Sequence, residues 1–215
     1  HELKTPLQGI IGSAELIENG MVQPEDMPRF VGHIRAEAQR LVTLIGDIIR
    51  LSQLDEGEVL PKERLDLLEV AQGAADDLQA EAEKKNVHLS VSGEPAELEG
   101  VRQLIYEVVY NLGDNAIKYN KENGSVTITV HDLREGTELI VEDTGIGIRA
   151  EDLPRVCERG YTGYNGHSDK RSTGIGLYLC RRVLEQMSHS IEIESEMGKG
   201  TRVKIGLITK ERIHE

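Results

Sequence analysis

Apolar residues near the start of the chain recur at alternating spacings of four and three, the a and d pattern of a helix that packs against other helices. A second series of this kind follows a turn at Asn19 and Gly20 and a proline, Pro24, placed as at the start of a helix. The pattern predicts two amphipathic helices joined as a hairpin. The first series is Leu3, Leu7, Ile10, Ala14, Ile17 and Met21, and the second is Val31, Ile34, Ala38, Leu41, Ile45 and Ile48.

A hairpin of two helices cannot bury both of its apolar seams by itself. We therefore predict that two copies pair as a homodimer with a four-helix bundle. Packing of the hairpin on the rest of the chain is the alternative. The acidic stretch DEGEVLP has no helical period and indicates a linker. The expected division is a hairpin domain over 1–56, a linker over 57–63 and a second domain over 64–215.

The second domain combines both kinds of periodicity. Helical spacing predicts helices over 66–85, 101–119 and 174–187. Strict alternation predicts strands, of which the last two would pair across the turn EMGKG. The fold class is therefore α+β. The predicted strands are 88–92, 125–131, 138–142, 190–194 and 202–208.

Composition narrows the classes of protein that fit. The 215 residues include no tryptophan and one phenylalanine, so the core must be aliphatic. The formal net charge of −13, without a lysine or arginine run longer than two, argues against a nucleic-acid partner. Cys157 and Cys180 lack the spacing of a disulfide framework or a zinc site, which suits a reducing compartment. Without a signal peptide or a run of about 18 apolar residues, we expect a cytoplasmic chain, with membrane contact only through upstream segments.

Two glycine-bearing loops, DTGIGI over 143–148 and STGIGLYL over 172–179, are candidates for phosphate binding. Glycine lets the backbone approach a ligand and turn successive N–H groups toward it, and the second loop leads into a helix N-terminus. A single such loop is as often an ordinary turn. The dinucleotide-binding and P-loop patterns are both unmatched. The glycines concerned are Gly145, Gly147, Gly174 and Gly176.

The predicted helix before the first glycine loop carries Glu107, Asn111, Asn115 and Lys118 at spacings of four, four and three, which places them on one face. Buried amides without partners are costly, so this face is expected to address a ligand. Asn111 offers an oxygen to a hard cation, and Lys118 offers charge to phosphate. A solvated polar face is the alternative.

The opening HELKTP places His1 beside charged residues, with Pro6 close behind, where a proline is expected to bend a helix. Such a turn ahead of an apolar seam suggests a functional spot. From these opening residues alone, an ordinary exposed histidine near a chain end is the favoured interpretation.

Taken in order, HELKTP, NLGDNAIKYN, DTGIGI, STGIGL and GKGT resemble the H, N, G1, G2 and G3 boxes of the sensor histidine kinases. The resemblance implies a dimeric hairpin that carries the phosphoacceptor, His1. It also implies an α/β sandwich that binds ATP, the Bergerat or GHKL fold shared with gyrase, mismatch-repair and heat-shock chaperone ATPases.

The same resemblance implies roles in nucleotide binding. Asp143 would hydrogen-bond the adenine amino group, and Asn111 would hold Mg²⁺. The remaining residues that it places around ATP are Asn115, Lys118, Tyr119, Gly145, Gly147, Thr173, Gly174, Gly176, Leu177 and Thr201.

The resemblance also implies the chemistry. His1 would take the γ-phosphoryl group, Glu2 would accept the imidazole proton, and Thr5 would position water in a reverse phosphatase reaction. Glu107 would activate either the histidine or a water. The implied function is an ATP-dependent and Mg²⁺-dependent protein-histidine kinase that passes the phosphoryl group to an aspartate on a response regulator receiver domain.

Two other functions stay open. An ATP-gated dimeric scaffold would bind nucleotide without transfer, and a gyrase-type ATPase would use water, although it has no need of the HELKTP hairpin. One departure bears on the choice. The segment 153–171, interpreted as an ATP lid, has Cys157 where the family usually has phenylalanine, and both cysteines are interpreted as small core residues.

Overall fold

The computed structural model describes residues 2–57, 60–162 and 175–207. The chain forms two compact units. The first comprises His1–Glu58 and Arg155–Leu179, and the second comprises Val59–Pro154 and Cys180–Glu215.

The first unit contains the predicted hairpin. Helix α1 spans Lys4–Glu18, a short 3-10 turn spans Pro24–Asp26, and helix α2 spans Met27–Asp55. Gly20 ends α1 at φ +68°. The N–H of Met21 bonds the carbonyl of Leu16, and the N–H of Gly20 bonds that of Ile17, a Schellman motif that needs a left-handed residue. The hairpin predicted from the apolar spacing is confirmed.

Pro6 lies in the first turn of α1. It is the third residue of the helix, where an N–H would have no acceptor within the helix, so the missing donor costs nothing there. At this position the proline removes no hydrogen bond of the helix, which is the loss from which the sequence led us to expect a bend.

Much of the apolar surface of the hairpin is exposed in the single chain. Leu44 and Leu51 of α2 are buried, whereas Val42 is 63% exposed. The unit thus leaves an apolar face that its own described residues do not cover. The large apolar residues of the hairpin that are more than half exposed are Ile11, Met21, Val31, Val42 and Ile49.

The second unit is built on a five-stranded sheet of order β2-β4-β5-β7-β6 among the described residues. Strand β2 runs parallel to β4, and the other neighbours are antiparallel. Every second residue of β4 is buried, as in a sheet with one covered face. The strands of this sheet are β2 (His88–Gly93), β4 (Ser125–Leu133), β5 (Gly136–Asp143), β6 (Ser190–Glu196) and β7 (Gly200–Leu207).

Among the described residues, three helices accompany this sheet: α3 (Leu67–Lys84), α4 (Arg102–Lys118) and α5 (Gly176–Gln186). Helix α3 packs on α4 and on β2, and α4 packs on β4 and β5. Cys180 of α5 is 1% exposed, and its Sγ lies 3.9 Å from the carbonyl oxygen of Val108 in α4. Cys180 is therefore the core residue that the sequence predicted, whereas Cys157 is half-buried.

A small sheet of β1 (Glu63–Asp66) and β3 (Glu97–Gly100) was not predicted. Both strands are four residues long, and their sequences, ERLD and ELEG, are mostly charged. Asp66 supports this sheet because its Oδ1 accepts the N–H of Leu68, at the start of α3, and that of Ala96. Short charged strands of this kind lack the apolar alternation on which sequence reasoning depends.

Candidate functional site

Helix α4 presents the predicted polar face at the edge of the core. Its other face is anchored by buried residues such as Val108, Val109 and Leu112. The polar side chains are half-buried and recur along one side of the helix, as their spacing predicts. They are Glu107, Asn111, Asn115 and Lys118.

The C-terminal end of α4 is joined to the first glycine loop. The carbonyl of Tyr119 accepts the N–H of Ile146 at 3.1 Å. A Cβ on Gly145 would lie 2.4 Å from the same carbonyl oxygen, so this approach requires glycine. The Nζ of Lys118 lies 5.5 Å from the centre of the Tyr119 ring, within cation–π range. Lys118, Tyr119 and the loop therefore form one side of the site.

Asp143, the last residue of β5, is the centre of the site. Its Oδ1 accepts the N–H of Gly145 at 2.8 Å and that of Thr201 at 3.2 Å. No described residue donates to its Oδ2. Burial raises the pKa of Asp143 above its ordinary value, although the two backbone hydrogen bonds act in the opposite direction. The carboxylate thus has one oxygen fixed by the backbone and one left for a ligand.

The turn between β6 and β7 closes the site from the other side. The N–H of Gly198 bonds the carbonyl of Ile146 at 2.9 Å. Gly200 has φ +124°, and a Cβ there would lie 1.9 Å from the carbonyl oxygen of Asp143. Gly147 has φ +74°, and a Cβ there would lie 2.2 Å from the carbonyl oxygen of Glu196. The glycines of both turns are therefore required for the two loops to meet.

Sequence reasoning missed Ser195. Its Oγ accepts the N–H of Ile148 at 2.8 Å and donates to the carbonyl of Gly200 at 2.9 Å. It also lies 2.8 Å from the hydroxyl of Thr201. Ser195 occupies the same side of β6 as Ile191 and Ile193, so a polar residue at an apolar position of the alternation was the signal that could have identified it.

Lys85 was also missed. Its ammonium donates to the backbone carbonyl of Lys118, at the end of α4. A cation at this end of a helix satisfies an unpaired carbonyl and is favoured by the helix dipole. No pattern in the local sequence connects the two positions, because they are far apart along the chain.

The second glycine loop is described in part. Thr173 and Gly174 lie outside the described residues, as do residues 163–171 of the predicted lid. Gly176 is the first residue of α5, and Leu177 follows it, half-buried. Ile175 is fully buried immediately before them. The structure therefore places Gly176 and Leu177 at a helix start, as the sequence predicted.

Of the HELKTP segment, His1 lies outside the described residues. Glu2 is half-buried, and Thr5 is exposed in the first turn of α1. In the part of the chain that the structure describes, acidic, histidine and cysteine side chains form no group of three or more suited to a metal ion. None of the described helices is both long enough and apolar enough to cross a membrane.

Comparison with known proteins agrees with this arrangement. Residues 100–211 match the family described as histidine kinase-, DNA gyrase B-, and HSP90-like ATPase. Residues 1–57 match the His Kinase A (phospho-acceptor) domain.

The curated relatives include the histidine protein kinase DivJ of Caulobacter vibrioides, 33% identical over 96% of this chain and 36% of DivJ. The sensor protein SrrB of Staphylococcus aureus is 28% identical over 96% of this chain and 36% of SrrB. This chain therefore spans about a third of the length of these relatives.

Solved structures share the fold. The Acinetobacter baumannii histidine kinase AdeS has a TM-score of 0.77 at 21% identity, over 98% of both chains. The histidine kinase ThkA, solved in complex with the response regulator protein TrrA, has a TM-score of 0.79 at 22% identity, over 100% of this chain and 60% of that chain. With both family matches in the order of the five motifs, this chain belongs to the sensor histidine kinase family.

Proposed function

We propose that this protein is an ATP-dependent protein-histidine kinase that phosphorylates its own His1. It then passes the phosphoryl group to an aspartate of a response regulator, and it also acts as a phosphatase toward that regulator. The domains that we propose are 1–56 for the phosphoacceptor, 57–63 for the linker and 64–215 for ATP binding. The observation that carries the proposal is the meeting at Asp143 of the first glycine loop and the β6–β7 turn, beside the polar face of α4.

The adenine base fits the free oxygen of Asp143. Oδ1 is engaged by two backbone N–H groups, so Oδ2 is left to accept a hydrogen bond from an exocyclic amino group. A fixed, half-buried acceptor selects a base that carries a donor at this point. Lys118 and Tyr119 would contact the nucleotide, and the other residues of the binding set are Asn115, Gly145, Gly147, Thr173, Gly174, Gly176, Leu177 and Thr201.

Mg²⁺ fits the middle of the α4 face. The amide oxygen of Asn111 and the carboxylate of Glu107 lie one turn apart on the same half-buried side of the helix, and both are oxygen ligands of the kind that a hard cation prefers. We propose Asn111 as the residue that holds the ion. When bound, Mg²⁺ would neutralise charge on the phosphates.

The chemistry of transfer is proposed from the residue types at His1, Glu2 and Thr5. The lone pair of one imidazole nitrogen attacks the γ-phosphorus, and the bond from phosphorus to the bridging oxygen breaks, so that ADP leaves with its electron pair. The proton on the other ring nitrogen passes to the carboxylate of Glu2. Glu107 would assist activation at the nucleotide, and Thr5 would hold the water used in the phosphatase reaction. Transfer otherwise needs mainly positioning and charge neutralisation.

The partners are a second copy of this chain and a receiver domain. The exposed apolar face of the hairpin supports a four-helix dimer. On this face Val42 is 63% exposed and Ile49 is 55% exposed. The solved complex of ThkA with a response regulator protein, a relative in fold, supports a receiver domain as the acceptor.

The test is phosphorylation with γ-labelled ATP and Mg²⁺, using a chain with a short N-terminal extension that separates His1 from the terminal amine. We expect a label that is acid-labile and alkali-stable. It should be lost in His1→Gln and kept in His88→Gln, a matched change on an exposed strand position. Bound ATP without any label would favour a scaffold, and a label that survives His1→Gln would place the acceptor elsewhere. Either result would contradict the proposal.

A further inference from the structure

The first unit places residues from two distant parts of the sequence together at the start of α1. The Nε of Arg159 lies 3.7 Å from Oε1 of Glu2. The two side chains are 54% and 34% exposed, so the pair is accessible and either partner can be changed without opening a core. Arg159 belongs to the segment 155–162, which follows the first glycine loop in the chain.

The segment 155–162 is held in a defined shape by its own contacts. The Nε of Arg155 lies 3.1 Å from a carboxylate oxygen of Glu158, and its guanidinium stacks 4.4 Å from the centre of the Tyr161 ring. The backbone adds two turns, in which the N–H groups of Glu158 and Tyr161 bond the carbonyls of Arg155 and Glu158. Arg159 is therefore presented from a folded turn.

Gly160 brings the backbone itself to the same oxygen. A Cβ at this position would lie 3.4 Å from Oε1 of Glu2, and the φ of Gly160 is +74°. A residue with a side chain would be strained there by the positive φ, and its Cβ would be in van der Waals contact with the carboxylate. Two neighbouring residues thus converge on one oxygen of Glu2, which leaves Oε2 as the other acceptor.

We propose that Arg159 is a positioning residue for Glu2. Its guanidinium holds Oε1 so that the carboxylate keeps one orientation, with Oε2 left to accept the imidazole proton of His1. This inference rests on the proposed kinase function. Arg159 makes no bond to substrate in this role, and no proton passes to it, because its guanidinium stays charged throughout.

The proposed role predicts how the effects of substitutions at Arg159 and Glu2 combine. A group that acts only through Glu2 has no effect once the Glu2 carboxylate is gone, so the effects of the two substitutions cannot be additive. A group that contacts the nucleotide, or one that supports the fold, would keep its effect in the absence of that carboxylate.

The test is a double-mutant cycle on His1 phosphorylation, with kcat and KM for ATP measured for Arg159→Met in the native and Glu2→Gln backgrounds. We expect Arg159→Met to lower kcat about two- to fivefold, the upper part of the range for an exposed charged pair, with KM unchanged. Arg159→Lys should restore part of the rate. Arg29→Met, which removes an exposed arginine of α2 whose salt bridge is with Asp26, should keep the native rate.

In the Glu2→Gln background, Arg159→Met should cause no further loss of kcat. An equal loss in both backgrounds, a change confined to KM, or a faster reaction in Arg159→Met would each overturn the role of Arg159. Those outcomes are distinct from failure of the proposed function, which would appear as the absence of phosphohistidine in the unmodified protein.

Discussion

At the scale of single residues, Asp143 has two opposite effects on the free energy of folding. It organises the site by accepting two backbone N–H groups, and it keeps a half-buried charge whose desolvation raises its pKa. A carboxylate with a raised pKa in the fold stabilises the folded protein relatively more when it is protonated. This stability is lost as pH rises through the folded pKa. Asp143 therefore imposes a cost on stability at neutral pH for the sake of binding.

Asp143→Asn should separate these two effects. Asparagine keeps an oxygen for the N–H groups of Gly145 and Thr201 but offers a donor where the ligand needs an acceptor. We expect ATP affinity to fall about 10- to 100-fold, the loss of a charged hydrogen bond, with a melting temperature at pH 7 no lower than that of the native protein. Titration calorimetry measures the ATP affinity, and thermal unfolding measures the melting temperature. The control is Asp132→Asn, at an exposed position of β4. Unchanged affinity would contradict the role of Asp143.

Thr137 is a second residue whose environment gives a clear expectation. It is 2% exposed, and its hydroxyl has no hydrogen-bond partner among the described residues. Thr137→Val keeps the shape and removes the unpaired group, so the free energy of unfolding should rise by about 1 kcal/mol. Denaturant unfolding measures this. The control, Thr127→Val at a half-exposed position of β4, should change the free energy of unfolding little. Destabilisation by Thr137→Val would show that the Thr137 hydroxyl has a hydrogen-bond partner.

At the scale of elements, the site depends on turns whose backbones touch. The first glycine loop contacts the end of α4, and the β6–β7 turn contacts β5, at distances that leave no room for a Cβ. In α3, by contrast, Gly73 has no described atom within 4 Å of its Cβ position. The same substitution should therefore have opposite effects at the two kinds of position.

Gly145→Ala should destabilise the protein by about 2–3 kcal/mol, because the new methyl group meets the carbonyl oxygen of Tyr119. Gly73→Ala should stabilise it by about 0.5–1 kcal/mol, because alanine favours an open helix position. Chemical denaturation of both variants gives the comparison. Equal effects of the two substitutions would contradict the packing described for the loop.

The connection between α5 and β6 should make stability depend on pH. Burial lowers the pKa of His189, and the charge of Lys62 lowers it further. The unfolded chain therefore takes up the proton first as pH falls below about 6.5. Stability from this group is complete above that pH and is lost on acidification toward the folded pKa.

His189→Gln should remove this component. The native protein should lose more stability than the variant between pH 8 and pH 5, whereas His88→Gln, at an exposed strand position, should follow the native protein. Urea unfolding at both pH values is the measurement. If the native protein instead became more stable relative to His189→Gln as pH falls, the result would contradict the burial of the His189 imidazole.

At the scale of the whole molecule, the exposed apolar face of the hairpin is expected to be buried in a dimer. Val42 and Ile49 lie seven residues apart on α2 and are 63% and 55% exposed. Val42→Glu combined with Ile49→Glu would bury two carboxylates in the proposed dimer, which is costly. We expect a monomer by sedimentation equilibrium, with ATP affinity within about twofold of native because neither substituted residue belongs to the proposed nucleotide site.

The matched control is Gln39→Glu combined with Thr43→Glu, which adds the same charge at exposed polar positions of the same helix. That variant should remain dimeric. Persistence of the dimer in the Val42 and Ile49 variant would show that a different surface joins the two copies.

The amino-acid pattern alone determined the elements and the family. Heptad spacing predicted the hairpin, alternation predicted the strands of the large sheet, and the five motifs identified the kinase family, because each is a signal between neighbours in sequence. It also placed Asn111 and Asn115 on one face, since a helical face follows from spacing. The pattern left the effect of Pro6 undetermined, because that effect depends on where the helix begins.

Tertiary structure alone decided what joins distant parts of the chain. The small charged sheet, the hydroxyl of Ser195 between two turns and the ammonium of Lys85 at the end of α4 have no local signature. The same holds for Arg159 beside Glu2. Such contacts depend on which distant segments of the chain the fold brings together. Periodicity along the sequence carries no information about that.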